Sequence, residues 1–405
     1  MGDHVVRCVN CDELQSPYAL SCAKDNALVR ACYNAKHLEP KSLHGMWSFF
    51  DWLPVNGIIK EVGEGAITYK SVNLAAELGL DNLYISFSGY WPERNAFMKT
   101  CSFKDLEAPP TIQRLLEKGD NSRLVVASAG NTARAFAQVA SVADFPVILF
   151  VPEMAMKRMW LTREKGPVTL VGVRGDYADA INVAENVASR PGFLTEGGAR
   201  NIARRDGMGT VMLDATLTMG QIPQHYFQAV GSGAGGISAW EAALRLKNDG
   251  RFGQNLPRLH LAQSLPNSPI FYNWTVTDPR YTSAEETYDD VLFNRKPPYT
   301  IRGGVKDALI DTNGQVYGII NNEADMGKRL FEQSEEIDIL KAPAVAVAAL
   351  AKAVDSRTIG AQDIILLNIT GGGMSRLKED FTLNMLEPDL SISSAQEALE
   401  FLEVI

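Results

Sequence analysis

From residue 83 onward, short apolar runs alternate with longer segments of helical apolar spacing. The apolar, often β-branched runs predict strands at 83–87, 123–127, 147–151, 168–173, 192–195, 226–230, 258–263 and 364–369. The spacing between and after them predicts helices at 102–118, 132–142, 154–163, 177–189, 237–248, 325–334, 343–354 and 394–403. Such alternation is typical of βαβ units, which build mainly parallel sheets. The weakly periodic stretch at 273–322 predicts a long irregular insertion of the kind that covers a site.

Length and composition indicate a soluble α/β chain with two or three domains. The chain has 405 residues, of which 46% are hydrophobic and 21% charged, which excludes a disordered or fibrous protein. Its net charge of -9 disfavours nucleic acid and anionic membrane as partners, because both reward positive charge. No apolar run reaches a membrane-spanning length, and the first residues lack the apolar core of a signal peptide. We therefore expect a cytoplasmic protein whose positive charge, if its substrate is an anion, is local.

The five cysteines leave two interpretations open. An odd number without a signal peptide argues against a disulfide framework. Cys8, Cys11 and Cys22 resemble half of a zinc ribbon, but structural zinc takes four ligands, and Asp25 stands where the fourth cysteine is expected. The segment is either a small zinc knuckle or a relic of one with free thiols. We assign no metal ligand from the sequence.

Two strand-to-helix turns carry polar residues where a parallel sheet places its ligands. In the turn before the helix at 102–118, Lys104 is a candidate for a Schiff base, although an exposed lysine in a first helical turn is the alternative. In the second turn, Ser128, Asn131 and Thr132 surround a glycine directly after the strand 123–127. The short amide of Asn131 could clamp a ring oxygen or a carboxylate, and the alternative is a helix cap.

Two later turns add an anion site and a hydroxyl. Gly231, Ser232, Gly233, Ala234 and Gly235 precede a helix, where exposed backbone amides favour a phosphate. The run also matches the dinucleotide fingerprint, but the next strand ends in Gln-Ser rather than in the acidic residue that holds a ribose. The turn therefore suits a single phosphate better than a nicotinamide dinucleotide. Thr370, at the end of the strand 364–369, either faces the cleft or belongs to a plain glycine turn.

Taken in order, these turns resemble those of the fold type II pyridoxal-phosphate enzymes, which carry an S-x-K lysine, an S-x-G-N-T loop, a glycine-rich phosphate cup and a late Ser or Thr. The resemblance implies a two-lobed α/β fold with mainly parallel sheets, like tryptophan synthase β. It implies an N-terminal extension at 1–45, a large cofactor-binding domain from 46–100 and 200–405, and a small substrate-side domain at 101–199. Lys104 is then the catalytic lysine bound to pyridoxal 5'-phosphate. The implied cofactor-binding residues are Lys104, Asn131, Gly231, Ser232, Gly233, Ala234, Gly235 and Thr370.

Within this group the chain is most similar to the threonine synthase branch, and in that branch to enzymes that replace the phosphate of O-phospho-L-serine with sulfite for coenzyme M synthesis. The resemblance implies small-molecule substrates, possible homo-oligomers and an anion-binding site, for which the candidates are Ser128, Thr132, Lys99 and Arg205. Phe97-Met-Lys99-Thr100 replaces the Asn-Pro-Thr-Gly of threonine synthase, which disfavours phosphohomoserine. The alternatives are threonine synthase, a phosphoserine-dependent cysteine synthase, an NAD-dependent oxidoreductase, and an inactive binding module.

Overall fold

The N-terminal residues form a small antiparallel sheet of their own. In the computed structural model, which describes residues 4–278, 286–295 and 297–403, its strands are β1 His4–Cys8, β2 Leu14–Gln15 and β3 Val29–Tyr33. β1 is the central strand and pairs antiparallel with both others. Alternate residues of β3 are buried, as expected for a strand with one face on a core. This predicted extension is therefore a packed module.

The body of the chain contains two larger sheets surrounded by helices. The remaining strands are β4 Ile67–Lys70, β5 Leu83–Phe87, β6 Tyr90–Trp91, β7 Ala96–Phe97, β8 Arg123–Ala127, β9 Val147–Pro152, β10 Trp160–Leu161, β11 Val168–Val173, β12 Phe193–Thr195, β13 His225–Ala229, β14 Arg258–Ser264, β15 Gln315–Ile319, β16 Ile365–Ile369, β17 Asn384–Met385 and β18 Leu390–Ile392. The α-helices are α1 Asn73–Leu78, α2 Ala108–Lys118, α3 Asn131–Ala143, α4 Tyr177–Ala188, α5 Ile202–Met219, α6 Ala234–Asp249, α7 Pro269–Thr275, α8 Val305–Asp311, α9 Asn321–Glu335, α10 Lys341–Asp355, α11 Met374–Asp380 and α12 Ala395–Leu402.

The larger sheet has the order β15-β14-β13-β16-β5-β4, and the smaller has the order β12-β8-β9-β11-β18. All pairs are parallel except β4 with β5, which confirms the expected mainly parallel architecture. Helices cover both faces of a parallel sheet, so its central strands are apolar along their whole length. Every residue of β16 is buried, for example, and so is every residue of β9. The carboxyl ends of β8, β13 and β16 lead into the turns that the sequence singles out.

Several element predictions were wrong. The segment at 154–163 is a 3-10 helix, Glu153–Arg158, followed by the short strand β10, and not one helix. The stretch at 273–322 contains α8 and β15, so it is less irregular than expected, although residues 279–285 and 296 lie outside the described residues. The helix α5 was not predicted, because it is buried on nearly all sides and therefore has no apolar stripe.

The predicted domain division stays a prediction, and the structure differs from it in one feature. The strand β18 pairs in parallel with β11 of the smaller sheet, and α12 packs against α4 beside that sheet. Residues 390–402 therefore belong structurally with the smaller sheet, whereas the prediction assigns them to the large domain. Among the described residues, none of the helices combines the length and the apolar character needed to cross a membrane.

Candidate active site

The four turns meet at one cavity between the two larger sheets. The cavity encloses about 830 Å³ of atom-free space, including the part open to solvent. The predicted site residues that line it are Lys104, Ser128, Asn131, Thr132, Gly231, Ser232, Gly233, Ala234, Gly235 and Thr370. Val291 and Leu292, from the predicted insertion, also line it. Residues far apart in the chain are thus brought to one place, because the ends of parallel strands share an edge.

Lys104 lies in the short 3-10 helix Phe103–Leu106 and its amine faces a buried carboxylate. Lys104 Nζ is 3.2 Å from Glu107 Oε2, and the Lys104 side chain is 21% exposed, whereas that of Glu107 is fully buried. Burial lowers the pKa of Lys104; Glu107 opposes the shift and Arg204 adds to it. A lysine whose pKa is lowered supplies more unprotonated amine, which is the nucleophilic form. The alternative of an ordinary surface lysine is therefore wrong.

Asn131 begins α3, and its amide is held by a neighbour. Arg134 Nη2 donates to Asn131 Oδ1 at 3.1 Å and to the carbonyl of Thr100 at 2.8 Å. With its oxygen engaged in this way, the amide keeps its NH₂ group as a donor, and the residue lines the cavity. The capping role falls instead to Ser128, whose Oγ accepts from the backbone N–H groups of Gly130 and Ala133, both at 3.0 Å.

At two glycines of the turn after β13, a side chain would clash with a neighbouring residue. Gly233 has φ +86°, and a Cβ there would lie 2.1 Å from Val305 Cγ2. A Cβ on Gly235 would lie 2.1 Å from Gln228 Nε2. The turn leads directly into α6, a long helix whose first backbone N–H groups lack intrahelical partners. A phosphate is the group that such an N-terminus favours.

Thr370 ends β16 and lies beside the lysine turn. Its carbonyl accepts from the backbone N–H of Phe103 at 3.1 Å, which fixes the two turns relative to each other. The residue is 6% exposed and lines the cavity. A buried hydroxyl at this place can exchange a hydrogen bond with a ring nitrogen.

Below Lys104 lies an ion-pair network that the sequence did not reveal as a unit. Arg204 binds both oxygens of Glu107, with Nε to Oε2 at 2.7 Å and Nη2 to Oε1 at 2.8 Å. Arg204 Nη1 also donates to Glu196 Oε2 at 2.6 Å. Burial opposes ionisation of Glu107, but Arg204 and Lys104 outweigh it and hold the pKa of Glu107 below its usual value. Nothing in the local sequence links Glu107 with Arg204, because their proximity depends on how α2 and α5 pack.

Two predicted substrate residues are not in the cavity. Arg205 is 1% exposed; its Nε pairs with Glu241 Oε2 at 2.9 Å and its Nη1 donates to the carbonyl of Ala199 at 2.6 Å. It is a structural residue, and the prediction that it binds substrate was wrong. Lys99 lies 5.8 Å from the centre of the Phe381 ring and lines neither the cavity nor the groove next to it.

A groove beside the cavity carries most of the local positive charge. It shares Asn131, Val291 and Leu340 with the cavity. The basic residues that line the groove are Arg134, Lys157, Arg158, Lys341 and Lys378. Asp289 and Asp290 are the acidic residues along it, and Asp290 pairs with Arg158. Five positive side chains against two negative ones give an attractive region for anions in a chain whose net charge is -9.

The residues present fit pyridoxal phosphate better than a nicotinamide dinucleotide. An amine, an amide donor, a glycine cradle and a buried hydroxyl converge on one cavity. The strand after the glycine turn, β14, ends in Gln263 and Ser264. Gln263 Oε1 accepts from the backbone N–H of Ile270 at 2.8 Å, so this side chain closes a turn and offers no carboxylate to a ribose. The oxidoreductase alternative is not supported by this geometry.

Comparisons with known proteins define the class. The family described as pyridoxal-phosphate dependent enzyme matches residues 71–371. Among solved structures, a pyridoxal 5'-phosphate-dependent aspartate racemase aligns with a TM-score of 0.57 and 14% identity over 76% of this chain and 90% of its own. Maize serine racemase aligns with a TM-score of 0.57 and 14% identity over 84% of this chain and 93% of its own. These likenesses support the expected fold type II architecture.

Curated relatives are far more similar to this chain in sequence than these solved structures are. The cysteate synthase of Methanococcoides burtonii is 57% identical over 97% of this chain and 94% of its own length. Those of Methanothrix thermoacetophila and Methanosarcina acetivorans are 54% and 50% identical, each over the full length of both chains. The chain therefore belongs to the pyridoxal-phosphate dependent enzymes and, within them, to the cysteate synthase family. The predicted enzyme class and cofactor are confirmed.

Proposed function

We propose that this chain converts O-phospho-L-serine and sulfite to L-cysteate and phosphate. The observation that carries the proposal is the identity of 57% with a curated cysteate synthase over 97% of the chain. Two features of the site support it: the lysine of lowered pKa in the cavity, and the basic groove beside it. The alternatives of threonine synthase, of a cysteine synthase and of an inactive module find no such support.

The chain's residues would hold the cofactor as follows. Lys104 would bind it covalently, and the glycine turn would receive its phosphate through backbone N–H groups at the start of α6. Asn131 would donate to the ring oxygen, with its amide oriented by Arg134. Thr370 would face the ring nitrogen. When bound, pyridoxal phosphate supplies the electron sink that lets a proton leave Cα and a leaving group leave Cβ.

Lys104 would also move the proton. Its amine, whose neutral form burial favours, would accept the Cα proton of the substrate. The Cβ–O bond would break, with phosphate leaving with the bonding electrons. The sulfur of sulfite would form the new bond to Cβ, and Lys104 would return the proton to Cα.

The hydroxyls of Ser128 and Thr132 would bind the substrate carboxylate. Ser128 Oγ already accepts two backbone N–H groups, and Thr132 Oγ1 accepts from Arg204 Nη2 at 3.2 Å. The Ser128 hydroxyl therefore keeps its own proton for donation, whereas the Thr132 hydroxyl shares hydrogen bonds with Arg204 and Glu107. Both lie at the start of α3, where the helix dipole favours an anion.

The basic groove would gather the two anionic substrates. Phosphoserine and sulfite both carry negative charge, and a region of one sign of charge next to a cavity raises their local concentration. Arg204 contributes little to this, because Glu107 and Glu196 neutralise it. Lys157, Lys341 and Lys378 line the groove without an acidic partner within 4.0 Å among the residues that the structure describes.

The test is product identification by mass spectrometry. Purified enzyme is offered phosphoserine with sulfite, phosphoserine with sulfide, and phosphohomoserine with water, and Lys104→Ala serves as the inactive control. The proposal expects cysteate and phosphate in equal amounts from the first mixture and little product from the others. Cysteine as the preferred product, or threonine from phosphohomoserine, would contradict it.

A further inference from the structure

The N-terminal module contains a cluster of thiols and a carboxylate that the proposed reaction does not use. Cys8, Cys11, Cys22 and Asp25 each offer a ligand atom, and all four atoms lie within 4.8 Å of one another. Cys8 and Cys22 are buried, and Cys11 is partly buried. The cluster is separate from the cavity, since none of its residues lines it. The sequence offers no fourth cysteine for this cluster. In the fold, the carboxylate of Asp25 takes the position of the fourth ligand.

Two separations within the cluster match those of tetrahedral coordination. Zinc binds thiolate sulfur at about 2.3 Å and carboxylate oxygen at about 2.0–2.2 Å, so a tetrahedron has edges of about 3.8 Å between sulfurs and about 3.6 Å between sulfur and oxygen. Cys11 Sγ is 3.7 Å from Cys22 Sγ, and Cys8 Sγ is 3.6 Å from Asp25 Oδ1. These separations leave room for one ion at the centre and are too long for a disulfide.

The surrounding groups hold the ligands in place. The backbone N–H groups of Asn10 and Cys11 point at Cys8 Sγ at 3.3 and 3.4 Å, and that of Lys24 points at Cys22 Sγ at 3.4 Å. These N–H groups fix the positions of the two sulfur atoms. Asn10 Nδ2 donates to Asp25 Oδ2 at 2.7 Å, which orients the carboxylate with its other oxygen toward Cys8. Outer contacts of this kind are what fixes metal ligands.

We propose that Cys8, Cys11, Cys22 and Asp25 bind one structural Zn²⁺. Three thiolates and one carboxylate match the ligand types and the ligand number of a closed zinc site. The ion would join the hairpin that follows β1 to the loop before β3, and so fix the module.

The module is in turn attached to the cofactor-binding lobe. The N–H of Leu28 donates to the carbonyl of Arg302 at 3.0 Å. Arg30 Nε pairs at 3.0 Å with Glu241 on α6, the helix that begins at the glycine turn. We therefore expect the ion to stabilise the folded enzyme without touching substrate.

The test measures metal in the full-length holoenzyme, purified without a metal-binding tag, equilibrated with Zn²⁺ and passed over a desalting column. Elemental analysis by mass spectrometry is expected to find one zinc per chain in the wild type. Cys11→Ser and Asp25→Ala are expected to lose zinc to a chelator at least about tenfold faster. Cys32→Ser is the matched control, because Cys32 is an exposed cysteine of the same module that lies outside the cluster.

A second variant keeps the test decisive if Cys11→Ser does not fold. Asp25 is exposed, so Asp25→Cys should fold, retain zinc and, when loaded with Co²⁺ instead, show stronger thiolate-to-metal absorbance than the wild type. A wild type without metal, a Cys11–Cys22 disulfide, or an Asp25→Ala variant that keeps zinc as well as Cys32→Ser would overturn the assignment. None of these results depends on which product the enzyme makes.

Discussion

Glu107 is the residue through which the network below the cavity can be tested most directly. Its carboxylate is fully buried, accepts two hydrogen bonds from Arg204 and one from Lys104, and has the Thr132 hydroxyl as a further hydrogen-bond partner. In Glu107→Gln the shape is kept, but the charge is lost and an NH₂ group faces a guanidinium donor. Breaking a buried pair costs about 3–5 kcal/mol, and we expect the lower end, about 3 kcal/mol, because Arg204 keeps its pair with Glu196.

The second expected effect concerns the amine. The charge of Glu107 raises the pKa of Lys104, against the larger effect of burial, so its removal should lower the pKa of Lys104 further. Cofactor attachment needs the unprotonated amine. The pH midpoint for reattachment of pyridoxal phosphate to the cofactor-free enzyme should therefore move to lower pH in Glu107→Gln.

Two assays separate these effects. Urea unfolding followed by fluorescence gives the free energy of unfolding, and the return of visible absorbance gives the pH midpoint. Glu185→Gln is the matched control, since Glu185 is exposed on α4 and should change stability by no more than about 0.5 kcal/mol. If stability falls while the midpoint stays in place, Glu107 does not act on Lys104. If neither changes, the account of the network is refuted.

Two further predictions concern the cradle and the support of the lysine turn. Gly235→Ala places a Cβ 2.1 Å from Gln228 Nε2, so pyridoxal phosphate affinity, measured by equilibrium titration, should fall at least about tenfold, while Gly360→Ala, remote from the cavity and free of close contacts, serves as control. Burial raises the pKa of Asp105 to about 6, so the folded state binds its proton more tightly than the unfolded state. Stability from this group is therefore present at low pH and is lost as pH rises from about 4 to about 6. The difference in unfolding free energy between wild type and Asp105→Asn should fall across that range by no more than about 1.4 kcal/mol per pH unit. A difference that does not change with pH would contradict the raised pKa of Asp105.

Local patterns in the sequence were sufficient for the sheets and for the turns that carry the cofactor residues. β5, β8 and β11 have the predicted boundaries, because buried parallel strands are continuous apolar runs bounded by polar turns. Asn131 and Thr370 follow such runs, and Lys104 stands near the start of the predicted helix at 102–118, so position made each of them a candidate. The family resemblance then supplied the chemistry and the roles assigned to these residues, which stay predictions, as do homo-oligomerisation and a cytoplasmic location.

The errors have a common physical cause. Arg205 and Arg204 are adjacent in the sequence, yet a helix turns by about 100° per residue, so one side chain faces Glu241 in the core and the other faces the cavity. Which of the two meets substrate is decided by how α5 packs, and α5 itself has no apolar stripe that would orient it. Asp25 was not predicted as a ligand for a similar reason, because only the folded module brings its carboxylate close to the sulfur of Cys8.

The distribution of charge explains how one enzyme can hold an amine of lowered pKa and still attract two anions. Around Lys104, the two carboxylates of Glu107 and Glu196 outnumber the one guanidinium of Arg204, so the pocket has no net positive charge that would retain phosphate, and it is burial that lowers the pKa of the amine. The unpaired cations stand in the adjoining groove instead. The cations of the groove attract an anionic substrate toward the cavity, although they lie away from the reacting carbon. The same cations can attract the phosphate that the reaction releases. Substitution of Glu107 changes the charges around Lys104 and leaves the groove intact. We therefore expect it to shift the pH midpoint of cofactor attachment and to leave substrate affinity unchanged.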